Sequence, residues 1–110
     1  GIIKSNKQKA IESGEYSKFY MHRIGHWLGM DVHDVGSYKQ DGDWRDLEEG
    51  MVMTIEPGIY ILDSLEDVDD KWKGIGVRIE DDVLVTKNGF EVLTPDVPRS
   101  IEDVENTVQS

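Results

Sequence analysis

The chain contains no cysteine. Disulfide staples, thiolate metal sites and a cysteine nucleophile are therefore excluded, and any metal must be held by nitrogen and oxygen ligands. No apolar run approaches the ~20 residues of a membrane-spanning helix, and nothing near the N-terminus resembles a secretory signal. Basic residues are scarce: 12 Lys and Arg stand against 23 Asp and Glu, for a formal charge of −11. Such a field repels phosphate backbones and anionic head groups, so neither nucleic acid nor a membrane is an expected partner. These absences predict a soluble, cytoplasmic protein.

What is present fits one small domain. A length of 110 residues, 37% hydrophobic and 32% charged, allows a modest core without the bias of a disordered segment. The sequence begins at Gly1, not methionine, inside what reads as an ordered segment, and a fragment is expected on that ground. Much of the acidity is expected to solvate exposed faces, so only carboxylates in particular positions carry a chemical reading.

All three histidines, His22, His26 and His33, fall within Tyr20 to Gly36. Clustered imidazoles among apolar residues and glycines suggest a pocket that ligates metal or moves protons, although a half-buried strand with hydrogen-bonded histidines gives the same pattern. Gly25, Gly29 and Gly36 disfavour a continuous helix. His22 and His26 enclose Arg23, Ile24 and Gly25, so the glutamate of a His-Glu-x-x-His zinc helix is missing. Read as extended chain, His22, Ile24, His26 and Leu28 share one face.

Around this cluster, Lys4 to Ser13 predict an exposed helix ending at Gly14. Tyr38 to Arg45 read as a loop. Met51 to Leu62 read as a strand interrupted at Pro57-Gly58, with Met51, Met53 and Ile55 on one face and Val52, Thr54 and Glu56 on the other. Asp63 to Gly74 read as a charged surface loop without EF-hand spacing. Gly74 to Thr86 alternate as one strand that carries Arg78 and Glu80 on a common face. Gly74 to Gly76 lack the third glycine and following helix of a dinucleotide loop. Asn88-Gly89 predict a hairpin returning through Glu91 to Leu93. Ser100 to Asp103 resemble a capping box that opens a terminal helix, and its stripe of Ile101, Val104 and Val108 is expected to pack on the sheet.

An imidazole, Glu56 and Glu80 thus come from three separate pieces of an antiparallel sheet. One histidine with two carboxylates is a hard, oxygen-rich set that suits Mn²⁺, Fe²⁺, Co²⁺ or Zn²⁺. A carboxylate is also able to bridge two cations that clamp a water and a carbonyl. Arg78 either orients a carboxylate or substrate group, or is plain surface electrostatics.

The runs MHRIGHWLGMDVHDVG, GMVMTIEPGIYI and GIGVRIEDDVLVT, in that order, resemble the C-terminal catalytic region of Xaa-Pro aminopeptidase (aminopeptidase P). That family is one of the pita-bread metallopeptidases, alongside prolidase and methionine aminopeptidase. The resemblance implies an α+β chain, mainly antiparallel sheet with a helix near each end, forming the C-terminal portion of a pita-bread fold. On this reading residues 1–110 are a single partial domain, the C-terminal half of a metallopeptidase catalytic domain. The resemblance further implies hydrolysis of the N-terminal Xaa-Pro bond of a peptide whose second residue is proline. His26 and Glu56 would ligate one metal of a dinuclear manganese-type centre, and Glu80 would bridge both metals. His22 and His33 would contact substrate and stabilise the tetrahedral intermediate. Glu56 would also shuttle a proton, with Arg78 and Tyr60 supporting the site from behind.

Two aspartate ligands of the family pattern lie upstream of the histidine motif, where this chain has no residues to match them. Asp31 and Asp34 match positions that the family does not use as ligands. At most one weakly bound metal and no useful turnover are therefore expected of this chain, together with self-association through the face left by the missing half. A prolidase-type dipeptidase segment and a non-enzymatic scaffold or interaction module remain the alternatives.

Overall fold

The computed structural model describes residues 2–109. In chain order its elements are α1 (Lys7–Ser13), β1 (Lys39–Gln40), β2 (Asp43–Trp44), β3 (Val52–Ile55), β4 (Gly58–Tyr60), β5 (Gly76–Arg78), β6 (Asp81–Thr86), β7 (Gly89–Val92) and α2 (Ile101–Gln109). Short 3-10 turns occur at Glu15–Lys18 and Asp70–Trp72. Every strand pairing is antiparallel, so the expected α+β class with a helix near each end is what the chain forms. Among the described residues no helix is long and apolar enough to cross a membrane. The chain divides into two units, Gly1–Arg23 with Pro57–Arg78 and Ile24–Glu56 with Ile79–Ser110.

In the first unit, α1 begins later than the sequence suggested because Asn6 caps it, its side chain accepting from the Lys9 amide at 2.9 Å. Gly14 ends it with φ +70°, a left-handed conformation that glycine adopts without a Cβ penalty. The core of this unit is Phe19, Ile61 and Val68, with Ile2, Ile3 and Leu65 packed against it. Each buried apolar side chain of this kind contributes on the order of 1.5–3 kcal/mol. Val68 corrects the reading of Asp63 to Gly74 as surface loop alone, since it is buried and Leu65 packs beside it. β4 pairs with β5 in the register Gly58↔Arg78 and Tyr60↔Gly76.

In the second unit the strand order is β3-β6-β7, with Met53↔Val83, Ile55↔Asp81 and Val83↔Val92 in register. The expected hairpin forms with Thr86 opposite Gly89, its loop falling on Lys87 and Asn88. A second hairpin, β1 to β2, replaces the loop expected at Tyr38 to Arg45. Its turn is Asp41-Gly42, with φ +54° and +94°, the dipeptide that a tight turn with positive φ favours.

Gly74 to Thr86 do not form one strand. β5 and β6 belong to different sheets and are separated by Ile79 and Glu80, so strand parity does not carry from Arg78 to Glu80. The partner strands break in step: β3 ends at Ile55, β4 starts at Gly58, and Pro57 in between has no amide to give to a ladder. Alternating hydrophobicity cannot register a break that a proline imposes from the neighbouring strand.

Ser100 caps α2 by accepting from the Asp103 amide at 3.0 Å. The stripe does not pack on the sheet as expected: Ile101, Val104 and Val108 are 79%, 44% and 81% exposed, and no residue of α2 is buried. Just before the helix, Arg99 grips Asp81 with Nε 2.8 Å from both carboxylate oxygens. The hydrogen bond from Arg99 holds the Asp81 carboxyl below the usual carboxylate range, with Thr94 adding to it against a cost of desolvation.

Residues Ile24 to Leu28 run along β3 through three amide-to-carbonyl bonds: Glu56 to Ile24 at 2.7 Å, Thr54 to His26 at 2.9 Å and Leu28 to Val52 at 3.1 Å. Gly25 makes this approach feasible, because a Cβ there would stand 2.0 Å from the Thr54 carbonyl oxygen. Gly25→Ala is expected to destabilise the chain by about 1–3 kcal/mol through overpacking. The change reads as a lower denaturant midpoint at unchanged m-value, with lost amide protection at Thr54 and Glu56. A wild-type midpoint would show that the close approach is dispensable.

Candidate metal centre

The extended reading of the histidine segment survives only in part. A single bridge, Trp27↔Met53, is regular, and the remainder bends so that Asp34 returns its amide to the Trp27 carbonyl at 3.1 Å. Trp27 stacks on Tyr38 with ring centroids 5.4 Å apart and donates its amide to the Tyr38 hydroxyl oxygen at 3.2 Å. This fastening places His26 opposite Thr54.

His26, Glu56 and Glu80 each offer a ligand atom, and the three atoms lie within 4.8 Å of one another. Ligand atoms bound to one ion at ~2.0–2.2 Å lie up to roughly 4.4 Å apart, so the triplet has close to the spacing that one cation needs. The tightest contact is His26 Nε2 to Glu56 Oε1 at 3.2 Å. His26 Nδ1 lies 2.9 Å from the Trp27 carbonyl, which only accepts, so Nδ1 donates there and Nε2 is the nitrogen that faces the carboxylate. A ring nitrogen and a carboxylate oxygen facing each other need a cation between them, either a proton or a metal. The backbone carbonyl behind the imidazole is the usual support for a ligating histidine.

Thr54 completes the arrangement and was not singled out by the sequence reading. Its hydroxyl accepts the His26 amide at 3.0 Å and donates to Glu56 Oε1 at 3.0 Å. Thr54 is 2% and Glu56 8% exposed, so a buried hydroxyl orients a buried carboxylate. The available signal was parity: Thr54 precedes Glu56 by two on the same strand face. Glu80 is exposed and lies just before β6. His33, also exposed, brings its ring centroid 4.4 Å from that of His26, edge to face.

The other candidates gather in the first unit. His22 lies 5.3 Å from the Tyr60 ring, edge on, and the Arg78 guanidinium is 5.8 Å from the same ring. His22 Nδ1 donates to the Arg23 carbonyl at 2.8 Å. Its Nε2 is buried without a hydrogen-bond partner, as is the Tyr20 hydroxyl, whose ring lies 5.0 Å from His22. Asp34 is spent on its own loop, its carboxylate lying against Gly29. The predicted residues therefore form two clusters, His26, Glu56, Glu80 and His33 in one unit and His22, Tyr60 and Arg78 in the other.

Comparison with known proteins agrees with this chemistry. The Xaa-Pro aminopeptidase of Haemophilus influenzae is 57% identical over 106 residues, covering 96% of this chain and 24% of the relative. Among solved structures, Pseudomonas aeruginosa aminopeptidase PepP superposes with a TM-score of 0.90 at 55% identity, covering 99% of this chain and 25% of that one. Aminopeptidase P from Escherichia coli with the inhibitor Pro-Leu gives 0.85 at 47% identity, covering 96% and 24%. The chain thus has the pita-bread architecture of these aminopeptidases and spans about a quarter of the length of the relatives it matches. The model of metallopeptidase family M24 matches residues 3–87, and the chain, with a histidine and two carboxylates gathered within 4.8 Å, belongs to that family.

Proposed function

We propose that this chain supplies one wall of the active site of an Xaa-Pro aminopeptidase, which hydrolyses the bond between a peptide's first residue and a proline that follows it. The observation that carries the reading is the convergence of His26, Glu56 and Glu80, with His26 Nε2 3.2 Å from Glu56 Oε1. The Pro-Leu inhibitor on the Escherichia coli relative supports a proline-containing substrate. Prolidase is the nearest alternative within the family, and a scaffold that lost its chemistry is the alternative outside it.

In this reading His26, Glu56 and Glu80 would hold divalent metal, manganese being the expected ion. The cations, when bound, polarise the scissile carbonyl and lower the pKa of an attacking water. Glu56 takes the proton from the water and delivers it to the leaving proline nitrogen. Thr54 holds its Oε1 in place for that task. His22 is assigned to the substrate, and its Nε2, which has no hydrogen-bond partner, is the atom that would bond it. His33 lies beside His26 to act on the same peptide. Arg78 and Tyr60 brace His22.

Residues 1–110 act here as the C-terminal half of a catalytic domain whose remaining two aspartate ligands come from outside this span. The chain by itself then binds at most one Mn²⁺ weakly and turns over no Xaa-Pro peptide. Calorimetry with Mn²⁺ is expected to show weak, substoichiometric-to-single-site binding that Glu80→Ala abolishes. Identical traces for wild type and variant would favour the scaffold, and measurable release of the first residue by the purified chain would refute the incomplete site.

The same reading implies a cover for the apolar face of the β3-β6-β7 sheet. Met53, Ile55, Val83, Val85 and Phe90 border a hollow of about 540 Å³, and Phe90 is 70% exposed. The isolated chain is expected to self-associate through this face. Sedimentation at increasing concentration should show a rising average mass, and a monomer at every concentration would count against it.

A further inference from the structure

We infer that Arg99 is a positioning residue for the metal site, its clasp on Asp81 setting the direction of the adjacent Glu80. This rests on the proposed role of Glu80. Glu80 lies in the two-residue interval between β5 and β6, outside either ladder, so its direction depends on how firmly the next residue is held. Asp81 is the first residue of β6 and pairs with Ile55, the neighbour of Glu56. Both proposed carboxylate ligands thus adjoin one cross-strand pair.

The hold on Asp81 is many-sided. Arg99 Nε lies 2.8 Å from both carboxylate oxygens and Nη2 2.5 Å from Oδ1. The guanidinium is itself fixed, Nη1 donating to the Pro95 carbonyl at 3.1 Å and Nη2 to the Thr94 carbonyl at 2.5 Å. The Thr94 hydroxyl donates to Asp81 Oδ1 at 3.0 Å and accepts the Asp82 amide at 3.2 Å. Leu93 adds its amide to the Asp82 carbonyl at 2.8 Å.

Two half-exposed charges attract each other only weakly through water. A forked guanidinium anchored to two carbonyls nevertheless restricts orientation more than it adds energy. Asp81 borders the apolar hollow beside Ile55 and Val83, whereas the Glu80 carboxylate turns toward His26 and Glu56. The clasp therefore grips the strand end from the side away from the site and leaves Glu80 to face it.

Amide ¹⁵N relaxation on the metal-free 110-residue chain tests this without reference to activity. In wild type the Glu80 and Asp81 amides should show order parameters near 0.85, as rigid backbone does, and in Arg99→Leu they should fall below about 0.6 while Val83 to Val85 stay unchanged. Arg99→Lys should give an intermediate value, because an ammonium cannot form the fork. An unchanged Glu80 in Arg99→Leu, a mobile Glu80 in wild type, or equal loosening throughout β6 would each overturn the inference. If Arg99→Leu does not fold, Thr94→Val removes only the bridging hydroxyl and is read at the same amides. Mn²⁺ calorimetry supplies the second readout, with Arg99→Leu expected to weaken binding roughly 10–100-fold. Wild-type binding that Arg99→Leu leaves unaltered breaks the link to the metal, whereas no binding by wild type defeats the proposed site and leaves the relaxation result to judge the clasp.

Discussion

The pairing of Ile24 to Leu28 along β3 is the constraint on which the second unit depends. It brings together residues 28 positions apart, so that the Thr54 hydroxyl accepts from the His26 amide and donates to Glu56. A buried hydroxyl or amide left unbonded costs about 1–3 kcal/mol, so the same three groups that shape the candidate site also pin the segment to the sheet. Gly25 is the condition for this contact, since its missing Cβ is what lets the Thr54 carbonyl come close.

A second constraint is an interruption. Pro57 has no amide, and the ladders to either side of it resume only at Gly58↔Arg78 after stopping at Ile55↔Asp81. Glu56 and Glu80 fall in the resulting gaps. Glu80, outside both ladders, is released from strict alternation, whereas Glu56 keeps the face of Thr54 and bonds its amide to the Ile24 carbonyl. Strand breaks commonly re-aim side chains beside active sites. Burying Glu56 as an ion is costly without a nearby cation and hydrogen bonds, and Thr54 with His26 provides part of that compensation.

The surface carries the third theme. Among the described residues the buried hydrophobics are Ala10, Phe19, Ile61, Val68 and Val83, while Phe90, Trp44, Ile101 and Val108 are among many large apolar side chains left exposed. An amphipathic helix whose apolar stripe is largely exposed and a sheet with an open apolar face support the reading of a chain that works within a larger whole. The chain's span of about a quarter of its relatives is in keeping with that.

Much of this was legible in the sequence, and the legible part has a common character. The caps at Gly14 and Ser100, the Asn-Gly hairpin and the proline break are local rules of backbone geometry, readable wherever the residues stand. One histidine with Glu56 and Glu80 read as a hard donor set for the same reason, because donor chemistry is carried by residue type, and the family came from the resemblance of three motifs. The sequence could not say that β5 and β6 part at Glu80, that Val68 turns inward, or that α2 finds no sheet to cover its stripe. Alternation and helical periodicity record which face is apolar and are silent on what lies opposite. Nor could it single out Thr54 or the Trp27 carbonyl, whose importance arises from bonds across distant segments. The sequence by itself determined the candidate donor types, the caps and the turns, which are properties of a few adjacent residues. Only the tertiary structure decided that His26 meets Glu56 and Glu80 and that Arg99 grips Asp81, because those depend on which strands lie side by side.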